Sequence, residues 1–224
     1  PSHALARRFN WKLKQLALTP SDFLLYPESC YTAEFLRAYN EDEIVVFDTE
    51  TTGLNVFTDD IIEVAAIRIK GGEVVGEPLD LYIETDKPIL PKLGDKENPM
   101  YAIYHEKLAT GELVPPADAL QLFLAYVGTS PILGHNANYD YNILDNNLQR
   151  YCNDTMQAHP IRCFDSLKLI RLLAPSLHSY KLESLLETFH LTGVNSHQAI
   201  DDVRATVSLV RLCAEKAREK QASQ

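Results

Sequence analysis

One stretch constrains this chain more than any other: an unbroken apolar run, Ile44–Phe47, that ends on two acids, Asp48 and Glu50. A strand covered on both faces loses its polar alternation, so the run predicts a buried strand of an α/β sheet. Because side chains repeat every two residues along a strand, Asp48 and Glu50 share one face. Neighbouring carboxylates repel each other, and a hard divalent cation relieves that repulsion. The stretch therefore predicts a metal site, with two solvated acids as the alternative.

The pattern after this strand predicts alternating strands and helices. Ile61–Lys70 and Glu73–Glu84 are predicted strands joined by a glycine hairpin turn, and the proline-rich residues 85–100 are predicted to form a long loop. The other predicted elements are Ala117–Val127 (helix), Pro131–Gly134 (strand), Tyr139–Tyr151 (helix), Arg162–Phe164 (strand), Ser166–Leu173, Leu182–Phe189 and Gln198–Lys220 (helices). This order indicates a mixed α/β sheet flanked by helices.

Residues 1–42 precede this pattern and are interpreted as an N-terminal helical extension, with residues 43–220 as one α/β domain. Basic and apolar residues from Ala6 to Leu18 lie at roughly helical spacing, and Thr32–Tyr39 predicts a second helix. The basic cluster is interpreted as a solvated helix face, with nucleic-acid contact as the alternative. Because residue 1 is proline, we expect an excised domain or a processed product.

Composition excludes some classes of protein. A net charge of −10 argues against a broad basic surface that coats nucleic acid, but not against an enzyme that grips a few nucleotides through metal ions. No apolar run approaches the roughly 20 residues of a membrane span. The four cysteines lack CxxC spacing, which is typical of reduced thiols. We therefore expect a cytoplasmic protein with no membrane partner.

Two later segments add acids and a histidine. Asn136 lies in a polar turn after a predicted strand, and Asp140 follows at a helix start, where the helix dipole stabilises an acid. His197 precedes Asp201 and Asp202 at the start of the last predicted helix. Taken alone, these segments also fit a turn former, a helix-end charge and a capping cluster. The functional interpretation is a general base beside metal ligands.

These segments, in this order, resemble the motifs of the DEDDh family of 3′–5′ exonucleases. Asp48–Gly53 resembles the first motif, and Gly134–Asp140 the second, with Tyr139 where many members have Phe. His197–Thr206 resembles the third motif. Further similar segments lie between them at Phe164–Leu167 and Ser179–Leu182. The resemblance covers roughly residues 43–213, and three motifs in order are far more specific than any one.

The resemblance implies a ribonuclease-H-like fold: a five-stranded mixed sheet with an antiparallel second strand and helices on both faces. It implies removal of nucleotides from nucleic-acid 3′ ends with two Mg²⁺ or Mn²⁺ ions, giving nucleoside 5′-monophosphates. The implied metal ligands are Asp48, Glu50, Asp140 and Asp202. His197, with an unperturbed pKa of about 6.5, corresponds to the general base.

The resemblance also implies substrate contacts. The residues concerned are Thr51, Thr52, Gly53, Leu54 and Asn136. Leu54 would contact the terminal base, with core packing as the alternative. Glu63 is an acid within an apolar strand, and a buried acid needs a partner, so we interpret it as supporting the metal site.

Helical spacing separates Asp202 from its neighbour Asp201. Asp202 lies at helical spacing from Ala205 and Leu209, on a mostly apolar side of the predicted helix. Asp201 lies at helical spacing from Arg204, on a polar side. The family's His-x4-Asp spacing also selects Asp202. Asp202 is therefore the predicted ligand, and Asp201 is predicted to form a surface pair with Arg204.

The favoured interpretation is a DNA exonuclease, and two alternatives stay open. One is an exoribonuclease that trims RNA 3′ ends, because selection against a 2′-OH depends on pocket shape. The other is a non-catalytic nucleic-acid-binding module on the same fold, although every acid and the histidine of the family pattern are present. We expect the chain to belong to a larger polypeptide or to a polymerase or repair assembly.

Overall fold

A computed structural model of the chain describes residues 28–93, 95–194 and 198–223. The helices within these ranges are α1 (Glu28–Glu41), α2 (Pro99–Thr110), α3 (Pro116–Val127), α4 (Ala137–Cys152), α5 (Ser166–Leu173), α6 (Leu182–Phe189) and α7 (Ala199–Ala222). The strands are β1 (Glu43–Thr51), β2 (Ile61–Lys70), β3 (Glu73–Val74), β4 (Leu79–Tyr82), β5 (Lys92–Leu93), β6 (Lys96–Glu97), β7 (Ile132–Gly134) and β8 (Cys163–Asp165).

The central strand of the main sheet is β1, in the order β3-β2-β1-β7-β8. It pairs antiparallel with β2 along most of its length and parallel with β7, which in turn pairs parallel with β8. A central position covered on both faces explains why Ile44–Phe47 is continuously apolar and fully buried. The predicted mixed sheet, with an antiparallel second strand and flanking helices, is confirmed.

The predicted third strand, Glu73–Glu84, is interrupted in the structure. Gly76 adopts a positive φ of 72°, and Pro78 has no N–H to donate, so pairing with β2 stops after β3 and resumes at β4. The prediction of one continuous strand was wrong. The sheet has five strand positions, one of which β3 and β4 fill in succession.

The predicted long loop over residues 85–100 holds regular structure. It contains the short β5–β6 hairpin and the start of α2, a helix that the pattern did not predict. Its start signals were present: the Asn98 side chain accepts from the Met100 N–H at 3.1 Å, and Pro99 occupies the first turn. Only Met100 and Tyr104 are buried along α2, so it lacks the apolar stripe that reveals a helix.

Two hydrophobic cores lie on opposite faces of the sheet. Helices α1, α5, α6 and α7 cover one face, and α3 and α4 cover the other. Ile44 and Val46 of β1 belong to the first core, and Val45 and Phe47 to the second. The alternation of β1 therefore assigns the side chains that follow: even-numbered residues face α7, and odd-numbered residues face α4.

Helix α1 lies within the predicted N-terminal extension and packs into the first core. Phe35 is fully buried, and its ring centroid lies 6.0 Å from that of Phe164, with Tyr31 at 5.9 Å from the same ring. The predicted Ala6–Leu18 helix lies outside the described residues. Among the helices that are described, none has the length and apolarity needed to cross a membrane.

Candidate active site

Three of the acids predicted to bind metal converge at the end of β1. Asp48 and Glu50 lie on the face of β1 that α7 covers, and Asp202 is in the first turn of α7. One carboxylate oxygen from each of the three lies within 4.8 Å of the others. Clustered carboxylate oxygens are the ligands that Mg²⁺ and Mn²⁺ prefer.

The fourth predicted ligand, Asp140, approaches the same strand from the other face. It lies in the first turn of α4 and is almost fully buried. Its Oδ1 accepts from the backbone N–H of Thr49 at 3.1 Å and from the Thr49 hydroxyl at 2.6 Å. Thr49 lies between Asp48 and Glu50 on β1. The hydrogen bonds from Thr49 therefore hold Asp140 next to the three-acid cluster.

Burial and mutual repulsion raise the pKa of these acids. Burial, followed by the charges of Asp140 and Glu50, holds the pKa of Asp48 well above its ordinary range. Burial, followed by the charges of Glu63 and Asp202, raises the pKa of Glu50 to about 8. Burial also raises the pKa of Asp140, although the Thr49 hydrogen bond opposes it. A bound cation would favour the ionised form of every one of these carboxylates.

Glu63 adds another acid beside the cluster. It is the cross-strand partner of Glu50 and is fully buried. Its carboxylate lies beside the backbone N–H groups of Ala199 and Ile200, at the start of α7, and beside the carboxyl of Asp80. Burial, followed by the charge of Asp80, raises its pKa to about 8. A buried acid close to other acids is unfavourable, so positive charge nearby suits this environment and the set of carboxylates fits a divalent cation.

Divalent cations are expected to stabilise the protein more at pH 8 than at pH 6. The folded-state pKa of Glu50, about 8, exceeds the ordinary value of 4.5. Such an acid binds more protons in the folded state, so without metal its contribution to stability falls as pH rises between these values. A bound cation removes this loss by favouring the ionised form. Thermal unfolding with chelator or with Mg²⁺ at both pH values measures the difference. An equal metal-induced shift in Tm at both would contradict it.

The loop after β1 carries most of the expected substrate contacts. The Thr52 N–H donates to the Asp60 carbonyl at 2.9 Å, and its hydroxyl donates to Asp59 Oδ1 at 3.1 Å. A Cβ at Gly53 would lie 2.8 Å from Asp59 Oδ2, so a side chain here would displace the carboxylate that Thr52 and Asn55 bind. Leu54 is 89% exposed, so core packing is excluded for it. The loop presents an apolar side chain to solvent beside the acids.

The far end of this loop is anchored by a buried ion cluster. Asp60 is 4% exposed and lies 3.0 Å from Lys87 Nζ and 3.0 Å from Arg150 Nη2. The Thr85 hydroxyl donates to Asp60 at 2.7 Å, and Arg150 also donates to the Thr58 carbonyl at 2.7 Å. Although burial opposes it, the hydrogen bonds from Thr85 and Lys87 lower the pKa of Asp60. The carboxylate therefore stays charged and keeps both cations in place.

The remaining predicted substrate residue, Asn136, starts α4 in the left-handed conformation, with φ of 64°. It is exposed, and its N–H donates to Asp165 Oδ1 at 3.0 Å. His135 is fixed by Ser166 Oγ and the Tyr180 carbonyl, each 2.9 Å from one ring nitrogen. Burial lowers the pKa of His135, which favours the neutral ring.

A groove of about 780 Å³ borders the acids and the α5–α6 side of the domain. Asp48 and Asp202 line it, and so do three exposed cations, Lys96, Arg171 and Lys181. Sequence reasoning missed these cations. Lys181 lies within Ser179–Leu182, a segment that resembles the family, so this resemblance could have indicated it. Lys96 and Arg171 lie outside the segments that resemble the family.

The first turn of α7 separates the two neighbouring acids as predicted. Asp202 joins the acid cluster, whereas Asp201 Oδ1 lies 2.9 Å from Arg204 Nη1 in a partly exposed pair. The predicted Asp201–Arg204 surface pair is therefore confirmed. His197, the predicted general base, lies outside the described residues.

This fold and site define the class of protein. A family model described as "Exonuclease", of the RNase T type, matches residues 45–210. The chain belongs to this exonuclease family. The resemblance to the DEDDh 3′–5′ exonucleases of the ribonuclease-H-like superfamily is thereby confirmed, as is the prediction of an enzyme.

The relatives with similar sequences are much longer proteins, and this chain matches only a part of each. The "DNA polymerase III PolC-type" of Oceanobacillus iheyensis is 31% identical over 195 residues, which cover 84% of this chain and 12% of the relative. The protein of the same name from Thermotoga maritima is 32% identical over 171 residues, covering 76% of this chain and 12% of the relative. The chain thus spans about 12% of the length of these relatives.

Solved structures share the fold. Exonuclease I of E. coli, in complex with a dT13 oligonucleotide, has a TM-score of 0.65 at 23% identity and covers 81% of this chain and 43% of its own. Exonuclease X, in complex with 5′ overhanging duplex DNA, has a TM-score of 0.56 at 23% identity, covering 77% of this chain and 91% of its own. At these identities the likeness supports the architecture of the sheet and its helices.

Proposed function

We propose that this chain is a 3′–5′ exonuclease that hydrolyses DNA from the 3′ end and releases nucleoside 5′-monophosphates. The observation that carries the proposal is the convergence of Asp48, Glu50 and Asp202 within 4.8 Å, with Asp140 adjoining through Thr49. These acids border a groove that also holds exposed cations. A cluster of acids that could hold metal ions, beside a groove with exposed cations, suits the cleavage of an anionic strand.

Two Mg²⁺ or Mn²⁺ ions are proposed as the cofactors. Asp48, Glu50 and Asp202, whose carboxylate oxygens form one cluster, would hold these ions, and the adjoining Asp140 would help to hold them. When bound, such ions neutralise phosphodiester oxygens and lower the pKa of water. The protein's part is to hold these carboxylates close together in a poorly hydrated position, which raises their pKa, so that a bound cation would relieve their repulsion and favour their ionised form.

The proton transfer is assigned to His197. Its imidazole would take a proton from the attacking water, whose oxygen forms a bond to the phosphorus of the last nucleotide. The bond from that phosphorus to the 3′ oxygen of the preceding nucleotide breaks, that oxygen takes a proton from solvent water, and the imidazole releases its proton to solvent. The products are a shortened strand with a 3′-hydroxyl and a free 5′-monophosphate.

The groove and the β1 loop are assigned to substrate binding. Lys96, Arg171 and Lys181 would attract the phosphates of the strand, which offsets the net charge of −10 near the site. Residues 51–53 would present their backbone to the terminal nucleotide, and the exposed Leu54 would pack against its base. Asn136, exposed at the start of α4, would supply a polar contact.

The relatives favour DNA over RNA and indicate a partner. The PolC-type relatives are named as DNA polymerases, and the exonuclease I and exonuclease X structures hold DNA. We infer that the chain acts as part of a larger polypeptide or of a polymerase or repair assembly. Within such an assembly, a 3′–5′ exonuclease would remove nucleotides from the strand end that the polymerase extends.

The test compares matched single-stranded DNA and RNA oligonucleotides, each labelled at the 5′ end. With Mg²⁺ or Mn²⁺ the chain is expected to shorten DNA stepwise from the 3′ end, faster than RNA, and to stop in excess chelator. Faster shortening of RNA would support an exoribonuclease instead. Binding without cleavage under every metal would support a non-catalytic module. Cleavage that persists undiminished in chelator would reject the metal mechanism.

A further inference from the structure

Tyr139 departs from the family pattern by one hydroxyl group, since many members have Phe at this position. In the structure that hydroxyl donates to the Gly53 carbonyl at 2.7 Å. Its oxygen also lies 2.8 Å from Thr51 Oγ1, and the Thr51 hydroxyl donates to the same Gly53 carbonyl at 2.8 Å. Because each hydroxyl carries one proton, two of these three contacts are hydrogen bonds at a time, and together they join α4 to the loop after β1.

These contacts hold a part of the loop that side-chain packing does not hold. Leu54 is 89% exposed, so its side chain makes little contact that would fix its backbone. The residues on either side of it are held instead. The Gly53 carbonyl is bound by Tyr139, and the Asn55 N–H donates to Asp59 Oδ2 at 2.7 Å. The peptide groups that flank Leu54 are thus fixed from two directions.

We propose that Tyr139 is a positioning residue that holds Gly53 and Leu54 in the conformation that receives the 3′-terminal nucleotide. The inference rests on the proposed function, in which residues 51–54 contact that nucleotide. A loop that is fixed before binding loses less conformational freedom when the substrate arrives. Because the loop contacts the nucleotide before and during the reaction, the hydroxyl lowers KM and leaves kcat unchanged.

Replacing Tyr139 by phenylalanine tests the proposal, because it removes only the hydroxyl. Loss of this hydrogen bond is expected to raise KM for a single-stranded DNA oligonucleotide roughly three- to tenfold, with kcat unchanged. The matched control is Tyr126→Phe on α3. The Tyr126 hydroxyl accepts from the Arg68 N–H and donates to the Glu77 carbonyl, each at 3.1 Å. That variant loses comparable hydrogen bonds far from the loop, so its KM is expected to stay at the wild-type value.

Amide hydrogen exchange supplies a second measurement that needs no catalysis. In the DNA-free protein, the amides of residues 53–55 are expected to exchange faster in Tyr139→Phe than in the wild type or in Tyr126→Phe. Unchanged exchange would overturn the proposal, as would an equal rise in KM in both variants. A fall in kcat at constant KM would also overturn the proposal. Such a result would mean that the substitution acts through the neighbouring Asp140 and not through the loop. If the wild type hydrolyses no nucleic acid, the proposed function is wrong. Amide hydrogen exchange then still tests whether Tyr139 fixes the loop.

Discussion

Asp202→Ala is expected to abolish metal-dependent cleavage, whereas Asp201→Ala keeps most of it. Asp202 lies in the acid cluster with Asp48 and Glu50, so its removal takes away a metal ligand. Metal ions contribute several kcal/mol to such reactions, which corresponds to a loss of roughly 10³-fold or more. Asp201 instead forms a partly exposed pair with Arg204, and such pairs contribute a few tenths of a kcal/mol.

The two variants are each other's control, because they remove the same group from adjacent positions of one helix turn. Turnover is measured at saturating Mg²⁺, and circular dichroism verifies that both variants are folded. Asp202→Ala is also expected to lose much of the stabilisation that Mg²⁺ gives, and Asp201→Ala to keep it. Inactive Asp201→Ala together with active Asp202→Ala would reverse the assignment.

His197→Ala is expected to reduce turnover by roughly 10²- to 10⁴-fold, the usual range for a lost general base. The reason is the loss of a group that takes a proton from water near neutral pH. Binding of metal and of oligonucleotide should largely survive, since the histidine is not proposed as a ligand. Single-turnover rates with saturating DNA separate the chemical step from binding.

His105→Ala is the matched control for the histidine variant. His105 is exposed on α2, and its Nδ1 lies 2.7 Å from the Tyr101 carbonyl of the same helix. Its replacement is expected to leave turnover unchanged. Turnover near the wild-type value in His197→Ala would reject the assignment of the base, and so would an equal loss in both variants.

The sequence was most informative where local pattern and tertiary role coincide. Ile44–Phe47 is continuously apolar because β1 is central, and that alone predicted a buried strand ending at the acids. The choice of Asp202 over Asp201 followed from helical spacing, since one stripe of α7 faces the core and the other faces solvent. In both cases the determining contacts repeat along one element, so a one-dimensional pattern records them.

The sequence was least informative where position depends on distant contacts. Helix α2 buries only two residues, so it leaves no periodic apolar stripe, and only terminal signals such as Asn98 and Pro99 indicate it. The Thr49 hydroxyl donates to Asp140 because α4 covers that face of β1. Spacing along the chain does not reveal the order of the strands, so it does not predict this contact. The groove cation Arg171 looks like any solvated helix residue until α5 and α6 are placed beside the acids.

The acids of the site come from β1, α4 and α7, segments that are far apart along the chain. The parallel pairing of β1 with β7 joins Val45 to Ile132, and such non-local pairing forms slowly in folding. Asp202 lies on the last helix of the described chain, which completes one face of the sheet. The cluster is therefore absent from a nascent or half-folded copy. The site is completed only after residues 199–222 have emerged and packed against β1.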